Sequence, residues 1–157
     1  KRRAVARWRA FTGGLRAHGA RTPMSNLVVA HYLDGRVVKG TSLDVDPAKP
    51  ICHVRPPTGP AQDVKLADLK ALFFVRSLEG SATREEARIP DPSDPRLKGS
   101  SPIALRFRDG ESMLALTNRF PPNRPHFYVV PLDPKANNVR VLVNRAAVTS
   151  MESPQIG

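Results

Sequence analysis

Four histidines and one cysteine are the side chains of this 157-residue chain best suited to bind a transition metal or to act as base or nucleophile. The histidines are scattered, without the spacing that places two ligands on one face of a helix; they are His18, His31, His53 and His126. His31 and His53 could lie on neighbouring strands, but we expect both to be ordinary strand histidines with satisfied hydrogen bonds. The pattern therefore predicts no metal site.

Two aspartates and the cysteine are the remaining candidates for catalysis. Asp34 and Asp109 would suit a pair of acid–base carboxylates, but each precedes a glycine, which is typical of a tight hairpin turn. Cys52 stands between Ile51 and His53 in an apolar stretch and is expected to fill space in the core. The sequence carries no glycine-rich phosphate loop. We predict no catalytic residues, no enzyme activity and no cofactor.

The net charge of +11, from 25 Lys and Arg against 14 Asp and Glu, first suggests a polyanionic partner. Residues 1–23 alone hold seven of the basic residues and no acid, whereas the rest of the chain holds the other basic residues and every acid. Aromatic residues make up only 6%, which weakens any account based on stacked bases. The charge is therefore mostly a property of the N-terminal segment, and the body is only mildly basic.

The first 25 residues are predicted to form a short basic helix or an extended arm. Val5, Trp8, Phe11 and Leu15 follow at helical spacing and form one apolar stripe. We expect Trp8 and Phe11 to anchor the arm on a partner or a membrane surface, while arginines meet phosphates or acidic side chains; these are Arg2, Arg3, Arg7 and Arg9. Folding onto RNA, docking on the protein's own body and a basic extension without structure remain open alternatives.

An internal repeat organises the rest of the chain. The string that begins at Ala30 matches the string that begins at Leu105, at a constant difference in residue number and without a gap. The identical pairs are Asp34/Asp109, Gly35/Gly110, Pro47/Pro122, Pro50/Pro125, Val54/Val129 and Pro56/Pro131, and the same register is expected to continue through Val64/Val139 and Ala71/Ala146.

Each repeat unit is predicted to hold five short strands separated by turns, which must curl to bury one face. The predicted fold class is therefore all-β, with two tandem five-stranded barrels. The expected segments are the arm at 1–25, a barrel at 26–76, a Pro-rich linker at 77–101, a second barrel at 102–152 and a tail at 153–157. The alternative is one sandwich of eight to ten strands in which the units share a core.

The unit resembles an uncharacterised bacterial family of small β-barrels. The strings that carry the resemblance are YLDGRVVKG, DPAKP and LADLKALFFVRSLEG in the first unit, and FRDG, RPHFYVVPLDPKANNVRVLV and RAAV in the second. The strand plan is also similar to Sm-like barrels. The resemblance implies a bacterial accessory module that faces the cytoplasm, and it implies no chemistry.

A non-catalytic interaction protein is the function that these patterns favour. Open barrels leave strand edges that recruit other chains, so we expect an accessory or scaffold subunit that stabilises a larger bacterial assembly. The arm lacks the continuous apolar core of a secretory signal, and no apolar run reaches the length of a membrane span. The expected location is the cytoplasm or the cytoplasmic face of the inner membrane, with protein partners and an anionic membrane surface.

The alternative function is Sm-like binding of RNA, although nucleic acid is the less favoured partner. Its candidate contacts are arginines of the second unit, namely Arg106, Arg108, Arg119 and Arg124. His126 belongs to the same group, and Phe127 and Tyr128 are its candidate stacking platforms, but strand alternation buries one of these two rings.

Overall fold

A computed structural model of the chain describes residues 26–79 and 93–154. The described residues form ten strands, which are β1 (Asn26–Tyr32), β2 (Val37–Ser42), β3 (Ile51–Val54), β4 (Gln62–Lys65), β5 (Leu69–Val75), β6 (Ser101–Phe107), β7 (Ser112–Thr117), β8 (His126–Pro131), β9 (Asn138–Asn144) and β10 (Val148–Glu152). Three single turns of 3-10 helix accompany them, at Leu66–Asp68, Pro95–Lys98 and Arg145–Ala147. The predicted all-β class is confirmed.

Eight of the strands form one antiparallel sheet in the order β10-β6-β7-β8-β9-β5-β1-β2, and β3 pairs with β4 in a separate hairpin. The sequence predicts two separate five-stranded barrels, and the observed arrangement is different. The last strand of the first predicted unit, β5, pairs with β9 of the second unit, so strands of both units share one sheet. No closed barrel is present in the described part of the chain.

The reason for this joining lies in β5, whose seven residues are all buried. An uninterrupted apolar strand must bury both of its faces, and each face of β5 packs on a different hydrophobic core. Its two neighbours are β1 and β9, where Leu72 lies opposite Ala30 and Leu142 respectively. From Ala71 to Val75, the side chains point alternately into two different hydrophobic cores.

The two cores lie on opposite faces of the sheet at β5. The first core is formed by Val28, Ala30, Tyr32, Cys52, Val54, Val64, Leu66, Leu69, Leu72, Phe74 and Leu142. The second core is formed by Val29, Ala71, Phe73, Val75, Ile103, Leu105, Phe107, Ala115, Phe127, Val129, Val141, Val143 and Ala147. Each core therefore draws residues from both predicted units, as a shared-core architecture requires.

The two Asp-Gly sequences form the hairpin turns that their sequence predicts. Gly35 and Gly110 have φ values of 96° and 92°, in the left-handed region that favours glycine. The Asp34 carboxylate accepts a hydrogen bond from the backbone N–H of Arg36 at 3.0 Å, and Asp109 accepts one from Glu111 at 2.9 Å. The two aspartates therefore serve the same role in turn geometry.

Backbone hydrogen bonds of the two halves match, although the register of the match changes along the chain. The N–H of Leu33 donates to the carbonyl of Asp68, and the N–H of Arg108 donates to the carbonyl of Ala147, both at 2.9 Å. Leu33 and Arg108 keep the register of the sequence repeat, but Ala147 lies four positions beyond the residue that this register pairs with Asp68.

The change of register arises between the third and fourth strands of each half. Cys52 pairs with Val64, whereas its counterpart Phe127 pairs with Val143 rather than with Val139. The hairpin of the second half is therefore four residues longer. The expected equivalences Val64/Val139 and Ala71/Ala146 are wrong for this reason.

A close backbone crossing explains why the first half carries Gly40 at a position where the second half has Ala115. The N–H and carbonyl of Thr41 bond to the carbonyl and N–H of Arg55, at 2.9 and 2.8 Å. A Cβ at Gly40 would lie 2.1 Å from the Arg55 carbonyl oxygen. Only glycine allows β2 and β3 to approach so closely.

Residues 93–100, the described end of the predicted linker, pack on the second half of the sheet. The Arg96 guanidinium donates to the carbonyls of Pro131 and Leu132, at 3.1 and 2.6 Å, and pairs with Asp94 at 2.7 Å. This segment is therefore fixed to the body by polar contacts. Residues 80–92 lie outside the described residues.

In the described ranges, no helix has the length and apolar character needed to cross a membrane.

Replacement of Gly40 by alanine tests the crossing. We expect Gly40→Ala to lower the free energy of unfolding by about 1–3 kcal/mol, because the Arg55–Pro56 backbone must move. The matched control is Gly99→Ala, where φ is −114° and no atom lies within 4 Å of the added Cβ, so stability should be unchanged or slightly higher. Urea denaturation of the three proteins measures the difference, and equal midpoints would contradict the crossing.

Candidate functional site

A cluster of charged groups, here called the seam cluster, joins the two halves and consists of His31, Lys70, Asp109 and Glu111. Lys70 is the second residue of β5, and its side chain is only 8% exposed. Its Nζ donates to Asp109 Oδ2 at 2.8 Å and to Glu111 Oε1. Nζ also lies 4.8 Å from the ring centroid of Phe107, a cation–π distance. The lysine belongs to the first half and both carboxylates to the second.

The ion pairs of the seam cluster keep Lys70 charged. Burial by itself lowers the pKa of Lys70, but the hydrogen bonds to Asp109 and Glu111 outweigh it and raise that pKa. The hydrogen bond from Lys70 in turn lowers the pKa of Asp109. Loss of the two carboxylates would be costly, because the buried Lys70 would keep a charge without a partner.

His31 completes the seam cluster as a neutral group. Its ring meets the ring of Phe73 edge-on, with centroids 4.8 Å apart. Burial, and then the positive charge of Lys70, lower the pKa of His31. Because β1 pairs with β2 and β5, while β3 pairs with β4, the strands of His31 and His53 are not neighbours.

A second cluster of charges lies at the β3–β4 hairpin around His53. Its Nδ1 lies 2.6 Å from Asp44 Oδ2, and its Nε2 lies 3.3 Å from Asp63 Oδ1. The hydrogen bond to Asp44 raises the pKa of His53. With a carboxylate near each ring nitrogen, the surroundings of His53 favour the protonated form of its ring. Across the described residues, no group of three or more potential ligands could hold a metal ion.

Cys52 is fully buried in the first core, as the sequence predicts. Burial raises the pKa of its thiol to about 11. Thiols react as thiolates, so this environment suppresses nucleophilic reactivity. Cys52 therefore contributes packing to the core.

The arginines predicted to contact nucleic acid are brought only partly together. Arg106 and Arg108 are exposed beside the β6–β7 turn, and Arg108 donates its N–H to Ala147 at 2.9 Å. Arg124 precedes Pro125, whose carbonyl accepts the N–H of Arg145 at 2.9 Å. The turn Arg145–Ala147 thus lies between them, whereas Arg119 follows the end of β7.

Arg145 is a candidate contact that sequence reasoning missed. Its side chain donates to the carbonyl of Pro122 at 2.6 Å, and the residue is exposed. The constant register of the sequence repeat aligns Arg145 with Lys70. The sequence therefore does not indicate that Arg145 lies in the turn beside the other arginines. We name Arg106, Arg108, Arg124 and Arg145 the arginine cluster.

The two aromatic rings proposed as stacking platforms have different roles. Phe127 is buried in the second core, as strand alternation predicts for one of the pair. Tyr128 is half-buried, and the guanidinium of Arg140 covers its ring and that of Phe74, at 4.4 Å from each centroid. His126 lies at the start of the same strand, with Nε2 3.3 Å from the carbonyl oxygen of Leu66.

The predicted partner-binding residues of the arm lie outside the described residues. They are Arg2, Arg3, Arg7, Trp8, Arg9 and Phe11.

The sheet ends at β10, whose inner edge pairs with β6. Among the described residues, no strand pairs with its outer edge. Thr149, Ser150 and Glu152 are exposed along this strand, and the pairing register with β6 shifts between Val148 and Ser150. Such an edge presents unpaired backbone donors and acceptors.

A family of unknown function, DUF6982, matches residues 24–153, which include every described strand. The chain belongs to this family. The expectation of an uncharacterised family is thereby confirmed, and the match spans both halves of the DUF6982 chain as one stretch. No curated protein and no solved structure matches the chain.

Substitutions in the seam cluster test the difference between its buried lysine and its two exposed carboxylates. We expect Asp109→Asn with Glu111→Gln to lower the free energy of unfolding by about 3 kcal/mol, because a buried Lys70 loses both counter-charges. Lys70→Met should cost clearly less, since both carboxylates are more than half exposed and remain hydrated. Urea denaturation at neutral pH compares the variants, and an equal loss in both would contradict a buried, clasped lysine.

The pKa values of His31 and His53 should be shifted in opposite directions from the ordinary value of 6.5. The raised pKa of His53 means that its stabilising contribution is full below pH 6.5 and is lost as pH rises through the folded pKa. The lowered pKa of His31 means that stability is full above pH 6.5 and declines as pH falls toward the folded pKa. NMR titration of the ring protons measures both.

Asp44→Asn is the control for this titration. It should lower the pKa of His53 and leave that of His31 unchanged, because only His53 contacts Asp44. A normal pKa for His53 in the unsubstituted protein would show that the pair with Asp44 does not form in solution.

Proposed function

We propose that this DUF6982 protein is a non-catalytic interaction module, an accessory subunit that binds a partner of a larger bacterial assembly by accepting a strand at β10. The observation that carries the proposal is the outer edge of β10, which has no strand partner among the described residues. Addition of a strand to such an edge supplies main-chain hydrogen bonds for affinity and alternate side chains for specificity.

A comparison of β10 with β5 supports the proposal. This comparison rests on a further proposal, namely that the two halves are copies of one small Sm-like barrel unit. Three pairs of equivalent backbone bonds support the copies, namely Leu33–Asp68 with Arg108–Ala147, Gly35–Tyr32 with Gly110–Phe107, and Leu66–Pro50 with Arg145–Pro125. In that comparison β10 is the counterpart of β5. The edge at which β5 receives β9 corresponds to the outer edge of β10.

The chemistry of β10 indicates what kind of strand it accepts. In the register that pairs Asp68 with Ala147, Ala71 and Phe73 of β5 correspond to Ser150 and Glu152 of β10, which are exposed. A partner strand would therefore be held mainly by backbone hydrogen bonds and polar contacts. Such contacts suit a partner that binds reversibly more than a permanent, apolar interface.

The proposed location is the cytoplasm. The basic residues of the arm support the additional prediction of attachment to the cytoplasmic face of the inner membrane, where anionic lipids attract basic segments.

Binding of RNA is the second candidate function, and the arginine cluster is the observation that favours it. Arg108 and Arg124 flank the turn that begins at Arg145, while Asp109 and Glu111 of the β6–β7 turn are engaged by Lys70. Exposed arginines grouped in this way can contact several phosphates of one strand.

Two lysines on β10 separate the candidates. Thr149→Lys with Ser150→Lys places charge on the edge, which discourages strand addition, and both positions are exposed, so the fold should persist. The same charges lie near Arg106 and would strengthen RNA binding. The matched control, Thr58→Lys with Ala61→Lys, adds equal charge at exposed positions of the β3–β4 loop.

Strand addition predicts a partner that copurifies with the natural and control proteins but not with the β10 variant, and that protects β10 amides from hydrogen exchange. RNA binding predicts that the β10 variant binds a single-stranded oligonucleotide more tightly, with an affinity that falls steeply with salt. A partner retained by the β10 variant would overturn the proposed use of this edge.

A further inference from the structure

Arg140 is an exposed arginine of β9 whose guanidinium is held in place by two aromatic rings. Its Cζ lies 4.4 Å from the ring centroid of Phe74 on β5 and 4.4 Å from that of Tyr128 on β8. The two centroids are 6.1 Å apart, which is well short of the sum of the two Cζ distances. Both rings therefore lie on one side of the guanidinium, and neither ring covers its other side.

The donors of this guanidinium have no partner in the described part of the chain. A guanidinium carries five N–H donors, and none of those of Arg140 makes a hydrogen bond or an ion pair with any described residue. Arg36 provides the contrast. Its guanidinium lies 4.1 Å from the ring centroid of Tyr32, but its Nε also pairs with Asp34 Oδ2 at 3.0 Å. Arg140 therefore combines a fixed position with unused donors.

The charges around Arg140 favour a ligand with a single negative charge. Arg76 lies near the same end of the sheet, but its Nε and Nη2 donate to two backbone carbonyls of the β8–β9 loop. Burial raises the pKa of Tyr128, the charge of Arg140 opposes this shift, and the charge of Asp46 adds to it. A carboxylate within electrostatic range of the ring repels a doubly charged phosphate more than a singly charged carboxylate.

We propose that Arg140 binds a carboxylate through two parallel N–H···O hydrogen bonds. The planar fork of a guanidinium matches the two oxygen atoms of a carboxylate. Contact with the two rings restricts the side chain before the ligand arrives, which lowers the entropy lost on binding. Val130 is 38% exposed and lies on the same face of β8 as Tyr128, so it offers an apolar contact to the carbon atoms beside the carboxylate. The ligand is a small organic acid or an acidic side chain of a partner.

This site is separate from the strand edge proposed above. In the sheet, β6, β7 and β8 lie between β9 and β10. Binding at Arg140 therefore does not require addition of a strand to β10, and a substitution of Arg140 leaves that edge unchanged.

Titration of the isotope-labelled full chain with sodium acetate, followed by backbone amide shifts, tests the site. Acetate should shift the amides of Phe74, Tyr128 and Arg140 in a saturable way, and sodium chloride at the same ionic strength should not. Arg140→Gln should remove the binding. Arg140→Lys keeps the charge but loses the planar fork, so it should weaken the binding by about tenfold. Arg36→Gln is the matched control and should leave the binding unchanged, because this guanidinium is already paired with Asp34.

Two further ligands identify the source of the carboxylate. A blocked tripeptide with a central glutamate that binds more tightly than acetate would assign the site to an acidic side chain, and equal or weaker binding would assign it to a small organic acid. Inorganic phosphate bound more tightly than both would overturn the choice of a carboxylate. The site itself would be overturned by shifts that do not saturate, by shifts that chloride reproduces, or by binding that survives Arg140→Gln. If Arg140→Gln loses its circular dichroism spectrum, Arg140→Lys provides the same comparison.

Discussion

The fold depends on the burial of β5 from both faces. Phe73 points into one core and Phe74 into the other, so both faces of the strand must be covered. The sheet continues past β5 to β9, and strands of both halves contribute residues to each core. Both cores therefore share a single strand as a common wall. Loss of order in β5 would expose apolar surface on both sides at once, which couples the stabilities of the two halves.

Lys70 is the one polar side chain of β5, and the burial of this strand on both faces also determines what its ammonium group contacts. A cation on a strand that is buried throughout must meet carboxylates, and the β6–β7 turn of the other half supplies Asp109 and Glu111. Asp109 also shapes that turn through the N–H of Glu111. Asp109, a candidate catalytic acid in the sequence, therefore has two structural roles. Its carboxylate is engaged by Lys70 and by the N–H of Glu111.

Local patterns predicted the local structure, and the joining of the halves needed tertiary information. Asp34-Gly35 and its counterpart specify hairpins through φ values that glycine adopts without cost. The run LKALFFV is apolar except for Lys70, yet no local pattern says which strand will pair with its second edge. Arg145 escaped notice because a four-residue difference in hairpin length shifts the alignment beyond Val54. The need for glycine at position 40 comes from the Arg55 carbonyl, which is distant along the chain and therefore not visible in a local pattern.

The contrast between β5 and β10 explains why the sheet ends where it does. If the halves are copies, as proposed, the pairing of β5 with β9 joins a fifth strand to a fourth strand, and such a head-to-tail contact repeats without limit unless something stops it. At the outer end, Ser150 and Glu152 replace the apolar residues that make the inner contact cohesive. A charged, polar edge resists pairing with another copy, which is how natural sheets avoid growth. If β10 accepts a partner strand as proposed, its backbone groups supply the hydrogen bonds and its polar side chains select a strand of matching polarity.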